Sequence, residues 1–548
     1  MSRATSSFFP TISLYIALLT FTPTTVFAAA GDMRPRDPCP RPVAGSIVVR
    51  PPDLFSRDGV LNLALDYFTA LDDAGRTLFC FRTPDGLMSP TLHVKPGDTL
   101  NLRVTNKVLP PPAGSPTELV SDASTKCGDK TMTISSVNVH YHGTNTSPAC
   151  HHDEAIHTII NSGQTFQYSL KFPLDQPPGL YWYHPHVHGL AEAAVQGGAS
   201  GAIIVEGIEN IQPLVSGLPE RILIIRDQSV VGDQSADASA PSWDVSLNYV
   251  PVPYPDYTPA IIQMNRDGEE FWRIANASAD TIIDLQLQFD GVPQPLLVVG
   301  LDGVPTGSQD GTRRGKAVKR TDIRLPPAGR AEFIVTGPSA VVTNASLLTL
   351  NVDTGPVGDS DPQRPLAAIK PTDTGTSLPT IMPIPSSAPN PQQFEGLHDA
   401  AVTRHRHLYF SEVISDPSNP ASPTNFFITV DGGTPALFDP TNPPAITTTQ
   451  GSVEDWTIEN RTGENHEFHM HQIHFELLKR NGVPVPETDR QFLDVVEVPF
   501  WSGTGAYPSV KVRMDFRGMD IGDFVYHCHI LGHEDNGMMA IIRVLPRA

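Results

Sequence analysis

The densest group of metal-binding side chains lies near the C-terminal end of the chain. Cys528 stands between His527 and His529. His533 follows the cysteine by five residues, and Met538 follows it by ten. A thiolate, imidazoles and a thioether at this range are the ligand set of a blue-copper centre. The segment therefore predicts a redox-active metal site, whereas a buried cysteine beside surface histidines would leave His533 and Met538 unexplained.

The same segment predicts a second site next to the first. Side chains leave a β-strand alternately on its two faces, so Cys528 would point away from His527 and His529. The thiolate and the two imidazoles would then serve different metal centres. Only a few covalent bonds would separate those centres.

Three more histidine pairs repeat the spacing of His527 and His529. An alternating run leads into His140, which predicts a strand with both imidazoles of that pair on one face. Neutral imidazole is a common ligand for copper. A single pair is more often a solvated strand face, but four pairs in one chain predict eight convergent ligands. The three further pairs are His140 and His142, His184 and His186, and His469 and His471.

The four motifs stand in the order found in the multicopper oxidases, and the chain resembles that family along nearly its whole length. The resemblance implies four copper ions, one of type 1, one of type 2 and two of type 3. Glu467 stands where many laccases have proline, and Gln472 with Ile473 replaces their Gly-His, which sets the chain apart from typical fungal laccases. The implied ligands are His466, Cys528, His533 and Met538 for type 1, His140 and His469 for type 2, and His142, His184, His186, His471, His527 and His529 for type 3.

A weak internal repeat indicates the elements that must position these residues. Gly97–Asn106 has counterparts in Gly268–Asn276 and Gly451–Asn460. Each reads as a turn glycine, an alternating strand and a closing asparagine. The repeat predicts an all-β chain of three Greek-key β-sandwich domains, and the resemblance implies that these are three consecutive cupredoxin-like domains. Their predicted bounds are residues 31–212, 213–385 and 386–548.

The distribution of histidines assigns different tasks to the three domains. All 19 histidines lie outside the interval from Gly189 to Leu397, so the middle domain is predicted to be a metal-free spacer. The trinuclear ligands divide between the first and third domains, and we expect the cluster to form at their interface, where metal binding would hold them together. The Pro-, Ser- and Thr-rich stretch Pro356–Phe394 is predicted to be the linker before the third domain or an ordinary long loop.

Residues 1–30 are predicted to be a secretory signal peptide. Arg3 precedes an apolar run from about Ile12 to Phe27, and three alanines follow at positions 28–30. An uncleaved anchor is the alternative, which Pro23 and the threonines of the run disfavour. No later segment has the roughly twenty apolar residues of a spanning helix. We therefore expect a secreted or periplasmic protein after cleavage of the signal peptide.

Export would agree with the cysteine content. With Cys528 bound to copper, four cysteines remain, an even number suited to an oxidising compartment. Two disulfide bonds within the first third of the chain are predicted, and three connectivities are possible. The four residues are Cys39, Cys80, Cys127 and Cys150.

The overall charge restricts the partners. Asp and Glu number 59 against 38 Lys and Arg, giving a net charge of -21 that repels polyanions such as nucleic acid. We expect a monomer without a membrane span. Its expected partners are a small aromatic reductant and dioxygen.

In addition to Cys528, three carboxylates are candidate catalytic residues. Reduction of dioxygen to water consumes protons, and Glu534 and Asp153 resemble the family's proton-relay carboxylates. The alternatives are a solvated acid at Glu534 and the neighbouring Glu154 in place of Asp153. Asp494 lies where laccase-like sequences often have a carboxylate near the substrate pocket, and otherwise would cap a turn. A carboxylate in such a pocket would suit phenols or aromatic amines, which lose a proton on oxidation.

Three functions are compatible with this sequence, and a laccase-like oxidase of phenols or aromatic amines, which reduces dioxygen to water, is favoured. The second is a metallo-oxidase that acts on Cu(I) or Fe(II). With 11 methionines and no Met-rich insert, the chain lacks the soft-ligand platform of cuprous oxidases. The third is a non-catalytic copper-binding or structural protein, which the complete set of twelve ligands argues against.

Overall fold

The computed structural model describes residues 37–547, except 121–126, 233–236, 238, 308–314, 374–377, 383–393, 417 and 420–421. The chain is 45% strand and 4% helical, so the all-β prediction is confirmed. The predicted signal peptide lies outside the described residues. Across the described part of the chain, no helix combines the length and apolar character needed to cross a membrane.

The first sandwich is built from strands within residues 53–205. Strands β1 to β11 are Asp53–Phe55, Val60–Leu71, Thr77–Arg82, Thr91–Val94, Thr99–Asn106, Glu118–Leu119, Thr131–Met132, His140–His142, Thr165–Lys171, Gly179–His184 and Gly201–Val205. One sheet has the order β1-β4-β11-β10-β8, the other β3-β2-β5-β9, and β6 pairs with β7. Apolar side chains of both larger sheets form one core.

The middle sandwich is built from strands within residues 220–372. Strands β12 to β25 are Glu220–Ser229, Trp243–Leu247, Val250–Val252, Ala260–Asn265, Glu269–Asn276, Ile283–Phe289, Val292–Pro293, Leu296–Leu301, Val304–Pro305, Val318–Arg320, Ile323–Leu325, Arg330–Thr336, Ala345–Thr349 and Arg364–Thr372. The sheet orders are β14-β13-β12-β16-β23-β19-β20 and β15-β25-β24-β17-β18, with β21 and β22 at the sides. A second apolar core lies within these strands.

The third sandwich is built from strands within residues 404–545. Strands β26 to β37 are Arg404–Ile414, Thr424–Val430, Ile446–Thr449, Val453–Asn460, His466–Met470, Phe475–Arg480, Val483–Pro484, Phe492–Leu493, Val495–Val498, Ser509–Asp515, Gly522–Cys528 and Met539–Leu545. The sheet orders are β27-β26-β29-β35-β31-β32, with β33 beside β31, and β28-β37-β36-β30-β34. Cys528 and Met538 lie in its apolar core.

The internal repeat corresponds to equivalent strands of the three sandwiches, as predicted. Strands β5, β16 and β29 each run parallel to the long strand before them, β2, β12 and β26. The closing asparagines Asn106, Asn276 and Asn460 are fully buried. Each side-chain amide donates two hydrogen bonds to backbone carbonyls. A buried amide that pairs twice fixes the chain where the strand ends, which explains why the same residue type recurs.

The predicted linker Pro356–Phe394 is wrong in part. Arg364–Thr372 forms β25, which pairs with β15 and β24 inside the middle sandwich. Buried side chains recur along this strand, although turn-forming residues stand on either side of it. Residues 374–377 and 383–393 of the same stretch lie outside the described residues.

Two disulfide bonds are present, as expected, and both lie in the first sandwich. They join Cys39 to Cys80 and Cys127 to Cys150, with Cα atoms 5.7 and 5.4 Å apart. Cys528 is free and buried. The one thiol left in the described chain is therefore the predicted metal ligand.

A partly buried chain of charges, the His93 network, joins the first and middle sandwiches. His93 Nδ1 lies 2.6 Å from Glu206 Oε1, and its Nε2 lies 2.9 Å from Asp53 Oδ1. Arg50 continues the chain from Asp53 to Glu220 on β12. Burial alone would lower the pKa of His93, but the hydrogen bonds to the two carboxylates raise it overall. The two carboxylates thus favour the protonated form of the imidazole.

Two short helices, α1 (Ala191–Gln196) and α2 (Leu531–Asp535), join the first and third sandwiches. The carboxylate of Asp535 accepts hydrogen bonds from the backbone N–H groups of Gly189, Ala191 and Glu192, at 2.7, 3.3 and 2.9 Å. These groups at the start of α1 have no partner inside the helix. The third sandwich therefore caps a helix of the first.

Candidate metal centres

The four predicted pairs converge in what we call the eight-histidine cluster. In each pair the sequence places the imidazoles at the end of a strand or just past it, on β8, β10, β30 and β36. Every member is at most 1% exposed. The cluster lies between the first and third sandwiches, which contribute four imidazoles each. Its members are His140, His142, His184, His186, His469, His471, His527 and His529.

The cluster divides into three groups whose ring nitrogens lie within 4.8 Å of one another. One group contains both predicted type 2 ligands, and the other two contain three predicted type 3 ligands each. The separation into two triads could not be read from the sequence, because it depends on how four strand ends meet. The groups are His140, His142 and His469; His142, His184 and His529; and His186, His471 and His527.

The ring nitrogens that face one another fit a metal cluster. His140 Nε2, His142 Nδ1, His184 Nε2 and His469 Nε2 are buried and have no hydrogen-bond partner. Buried polar atoms without partners are costly, so four of them directed at one space indicate a missing ligand. Imidazole nitrogen suits copper. The donor set is therefore chemically suited to copper ions.

The opposite ring nitrogens are held by the protein. His140 Nδ1 lies 2.9 Å from Asp153 Oδ1, and His184 Nδ1 lies 2.9 Å from the carbonyl oxygen of Pro185. His527 Nδ1 donates to the carbonyl oxygen of its neighbour Cys528 at 2.8 Å. Such partners fix the tautomer and orientation of metal-binding histidines. The imidazoles are thus oriented by the apoprotein itself.

Electrostatics keeps the cluster in its metal-binding protonation state. Burial, assisted by mutual repulsion, lowers the pKa of all eight imidazoles. The pKa of His186 falls to about 3 and that of His469 to about 4. Neutral imidazole is the form that coordinates a metal.

A second group, formed by His466, Cys528 and His533, lies inside the third sandwich. Cys528 Sγ is 3.6 Å from His466 Nδ1 and 3.7 Å from His533 Nδ1, and the two ring nitrogens are 3.0 Å apart. Met538 is fully buried in the same core. Burial raises the pKa of the Cys528 thiol, so a thiolate at this position needs a cation beside it. The donor set agrees with the predicted blue-copper site.

The two groups are adjacent because of the predicted strand geometry. Cys528 faces His466 and His533, whereas Nε2 of its neighbour His527 lies 3.3 Å from His186 Nε2 and 3.2 Å from His471 Nε2. Consecutive side chains of β36 thus enter different sites. This arrangement agrees with the expectation that Cys528 and His527 point in opposite directions.

The two predicted relay carboxylates lie against the eight-histidine cluster. Glu534 is fully buried, with carboxylate oxygens 3.7 Å from His186 Nδ1 and 3.6 Å from His527 Nδ1. Asp153 contacts His140 and accepts a hydrogen bond from Gln472. Burial raises the pKa of both carboxyl groups. Their roles in proton transfer stay predictions.

The structure distinguishes Asp153 from its rival. Glu154 accepts hydrogen bonds from the backbone of Ile156 and His157 and from the Thr158 hydroxyl. Its carboxylate is used to fix the local turn. Asp153 is the member of this loop that reaches a predicted copper ligand.

Asp494 lies against the eight-histidine cluster, and its predicted role at a substrate pocket stays a prediction. It is fully buried, with Oδ1 at 3.1 Å from His142 Nε2 and its carbonyl oxygen at 2.7 Å from His469 Nδ1. Its chain neighbours Leu493 and Val495 line an open cavity on the other side. The residue comes immediately before β34, which pairs with the histidine-bearing β30. This pairing directs Asp494 to the eight-histidine cluster. A pattern in one segment could not indicate which metal group a paired strand would face.

Sequence reasoning missed a set of carboxylates around His533. We call Glu464, Glu412, Asp359 and Glu192 the acidic group. Glu464 Oε2 lies 3.4 Å from His533 Nε2 and is hydrogen-bonded to Glu412. Burial raises the pKa of both Glu464 and Glu412 to about 7. Burial lowers the pKa of His533 to about 4, against the opposing effect of Asp359, Glu412 and Glu192. Of these residues, only Glu464 lies close in sequence to a predicted ligand, two residues before His466.

The middle sandwich also contributes a residue that the sequence did not indicate. Arg330 forms a bidentate ion pair with Asp494 beside the cluster. It is fully buried. Sequence reasoning overlooked it because a lone arginine, in a domain without histidine, carries no specific signal.

Comparison with known proteins agrees with the fold and with both groups of ligands. Two family models, both described as multicopper oxidase, match residues 132–210 and 412–548. These ranges include all twelve predicted ligands. The fold and the two donor sets thus define an all-β protein built to bind copper at two adjacent sites.

Relatives extend the likeness over most of the chain. A rice protein, multicopper oxidase LPR1 homolog 3, is 26% identical over 473 residues, covering 74% of this chain and 85% of its own length. The multicopper oxidase mco of Staphylococcus aureus is 22% identical, covering 84% and 82%. A Campylobacter jejuni multicopper oxidase described as a metallo-oxidase has a TM-score of 0.65 at 22% identity, covering 92% and 96%. A laccase-like oxidase from Ochrobactrum has a TM-score of 0.60 at 18% identity, covering 92% and 100%.

The chain thus contains two multicopper oxidase domains, and the relatives and structural neighbours named above are multicopper oxidases. It is a copper-dependent oxidoreductase that uses dioxygen as its acceptor.

Proposed function

We propose that the protein holds four copper ions and couples one-electron oxidation of a reductant near His533 to the four-electron reduction of dioxygen to water. The main support for this proposal is that two donor sets meet on β36, with Cys528 in one and His527 in the other. Bound copper would supply the redox chemistry at both sites. The chain itself supplies the separation between the place where electrons enter and the place where dioxygen is reduced.

His533 is the point at which a reductant can approach. It is 8% exposed, whereas the other eleven predicted ligands are at most 1% exposed. Phe426 stacks on its ring with centroids 4.2 Å apart and covers one face. A reductant therefore meets the ring edge that carries Nε2, where Glu464 also lies.

We further propose that the reductant is a low-valent metal cation, with Fe(II) as the best fit. The acidic group places Glu464 against His533, with Glu412, Asp359 and Glu192 acting on the same ring. Carboxylate oxygens prefer harder divalent cations, and a cation bound here would take the place of the proton that Glu464 and Glu412 share. This set of carboxylates supports the metallo-oxidase alternative better than the favoured laccase-like one. The metallo-oxidase from Campylobacter jejuni shares the fold.

A laccase-like activity on phenols or aromatic amines is the second candidate. Its support is the same contact between Glu464 and His533, because a carboxylate at the electron entry point can accept the proton that a phenol loses. In this case one carboxylate suffices, and the remainder of the acidic group has no role in the reaction. The two candidates therefore differ in the number of carboxylates they need.

Steady-state kinetics with Fe(II) and with a dimethoxyphenol, both followed by oxygen uptake, separates the candidates. We expect Glu412→Gln to lower kcat/KM for Fe(II) by about 10-fold, the effect of about 1.4 kcal/mol of lost interaction, and to leave the phenol unaffected. The exposed Glu269 on β16 gives the control variant Glu269→Gln. Turnover of the phenol alone, unchanged in Glu412→Gln, would establish the laccase-like activity instead.

The proposed copper content is tested separately. Elemental analysis of the fully loaded protein should find four coppers per molecule, and Cys528→Ser should abolish the blue absorption and remove one copper. Far fewer than four ions in the unaltered protein would refute the assignment.

We also propose that the protein is exported after cleavage of residues 1–30 and acts as a monomer. The two disulfide bonds of the first sandwich support export, because such bonds persist in oxidising compartments. N-terminal sequencing of protein recovered from outside the cytoplasm should begin between about Ala28 and Gly31. A mature protein that begins at Met1 would contradict the proposal, and light scattering would test the monomer.

A further inference from the structure

We propose that Arg330, from the sandwich that holds no histidine, is a positioning residue for the trinuclear copper site. It acts through Asp494, which holds one histidine of the first sandwich and one of the third. The inference rests on the proposed ligand assignment. It concerns the site of oxygen reduction and is independent of the reductant.

Asp494 holds two histidines of the cluster at once. Its Oδ1 atom is 3.1 Å from His142 Nε2, and its carbonyl oxygen accepts a hydrogen bond from His469 Nδ1 at 2.7 Å. The opposite nitrogens, His142 Nδ1 and His469 Nε2, are the buried unpartnered atoms directed into the cluster. Rotation of the Asp494 carboxylate therefore changes where His142 Nδ1 points, and a shift of the Asp494 backbone changes where His469 Nε2 points.

Arg330 fixes the rotation of Asp494. Its two terminal nitrogens contact the two carboxylate oxygens at 2.7 and 2.5 Å, the bidentate geometry that only arginine offers. A lysine ammonium could replace the charge but would leave the carboxylate free to turn. Both side chains are fully buried, so water does not compete for either partner.

Arg330 is itself held by all three sandwiches. Its Nε donates to the carbonyl oxygen of Leu180 on β10 at 3.3 Å, and Nη1 donates to that of Ala328 at 3.0 Å. Its backbone N–H donates to Asp302 Oδ1 at 2.9 Å. Because Asp494 belongs to the third sandwich, the guanidinium contacts residues of all three sandwiches. The middle sandwich is therefore more than a spacer.

The backbone next to His142 leaves room for this ion pair. Gly143 has φ of +80°, and a Cβ atom there would collide with Asp494 Oδ2 and Arg330 Nη2. The glycine follows the predicted ligand directly. A residue without a side chain at this point lets the pair reach Nε2 of His142 from behind.

The test compares Arg330→Met and Arg330→Lys with a matched control, Arg273→Met. Arg273 is also fully buried in the middle sandwich, where it pairs with Glu220 and Glu332. In the described structure it contacts none of the eight histidines. All variants are loaded with copper and measured by elemental analysis, by the electron paramagnetic resonance spectrum of the type 2 ion, and by thermal unfolding.

We expect both methionine variants to unfold at lower temperature, and only the Arg330 variants to change the copper site. Loss of partners behind metal-bound histidines typically costs about 10–100-fold in metal affinity or activity. Arg330→Met should accordingly lose trinuclear copper on dialysis and show an altered type 2 spectrum. Arg330→Lys, which keeps the charge, should retain more copper with a shifted spectrum.

Two results would overturn the proposal. One is an unaltered type 2 spectrum and full copper content in both Arg330 variants. The other is equal copper loss in Arg273→Met, which would show a general effect of lost stability. If the unaltered protein binds no trinuclear copper, the proposed function itself fails, and the wild-type measurement separates that failure from these.

Discussion

Two of the regions in which histidine is buried give it opposite properties. In the eight-histidine cluster the imidazoles face one another, and burial lowers their pKa values. In the His93 network one imidazole lies between two carboxylates, and its pKa is raised. The first environment favours neutral donors with unpaired nitrogens, and the second favours the cation with both nitrogens hydrogen-bonded.

The comparison separates a binding site from a structural contact. The His93 network has no hydrogen-bonding capacity left for a ligand, because Asp53 and Glu206 occupy both ring nitrogens. The cluster leaves several ring nitrogens unpaired in the interior. Buried polar atoms without partners reduce stability. A protein that retains them gains something else, which here is the capacity to bind metal.

Replacing one histidine in the cluster should have the largest effect. We expect His186→Gln to abolish dioxygen turnover, because His186 belongs to one of the two predicted type 3 groups. The loss should exceed the about 10–100-fold typical of outer partners of a metal site. Oxygen uptake and copper content measure it. The matched variant His93→Gln should keep both, and equal inactivation of the two would end the distinction between these regions.

Removing the Glu534 carboxyl should slow one half of the reaction. We expect Glu534→Gln to reduce the rate of reoxidation by dioxygen by about 100-fold or more, the usual contribution of general acid catalysis. Anaerobic reduction of the blue centre should be unchanged, because Glu534 lies against His186 and His527 rather than against His533. Stopped-flow absorption resolves the two steps. Equal rates of reoxidation in variant and wild type would remove Glu534 from proton transfer.

Copper removal should destabilise the fold. Ligand that binds only the native state stabilises it by about 4 kcal/mol at a thousandfold excess over Kd. Chelator-treated protein should therefore unfold at a clearly lower temperature in scanning calorimetry. Adding copper back should restore the transition. An unchanged transition would mean that the unpaired cluster nitrogens are not metal ligands.

The smallest effect is expected at His93, and it should depend on pH. His93 has a raised pKa, so its contribution to stability is fully present below its unfolded pKa of about 6.5 and is lost as pH rises through the folded pKa. His93→Gln should cost about 1.5–3 kcal/mol at the acidic end, the range for hydrogen bonds to charged groups. Denaturant unfolding at several pH values measures the difference. A cost that grows with pH would have the wrong sign for a paired cation.

The sequence predicted the all-β class and the convergence of the histidine pairs, because both depend on local patterns. Strands β5, β16 and β29 follow from alternation and a closing asparagine, and His-x-His spacing follows from strand geometry. The positions of Asp494, Arg330 and the acidic group could not be predicted. They depend on which strands pair and on contacts between sandwiches, which have no local periodicity. The strand at Arg364–Thr372 was hidden by the turn-forming residues around it.

The cap that Asp535 provides for α1 has a consequence for maturation. Three backbone N–H groups of the first sandwich depend on a carboxylate that stands two residues after His533. Separating the sandwiches would exchange these hydrogen bonds for bonds to water, whether or not metal is bound. The polypeptide therefore supplies contacts of its own at this interface, and we expect a newly made chain to fold first and to receive its metal afterwards. Delivery would then have to proceed through an already assembled shell, so the rate of loading in the cell would be set by ion entry rather than by folding.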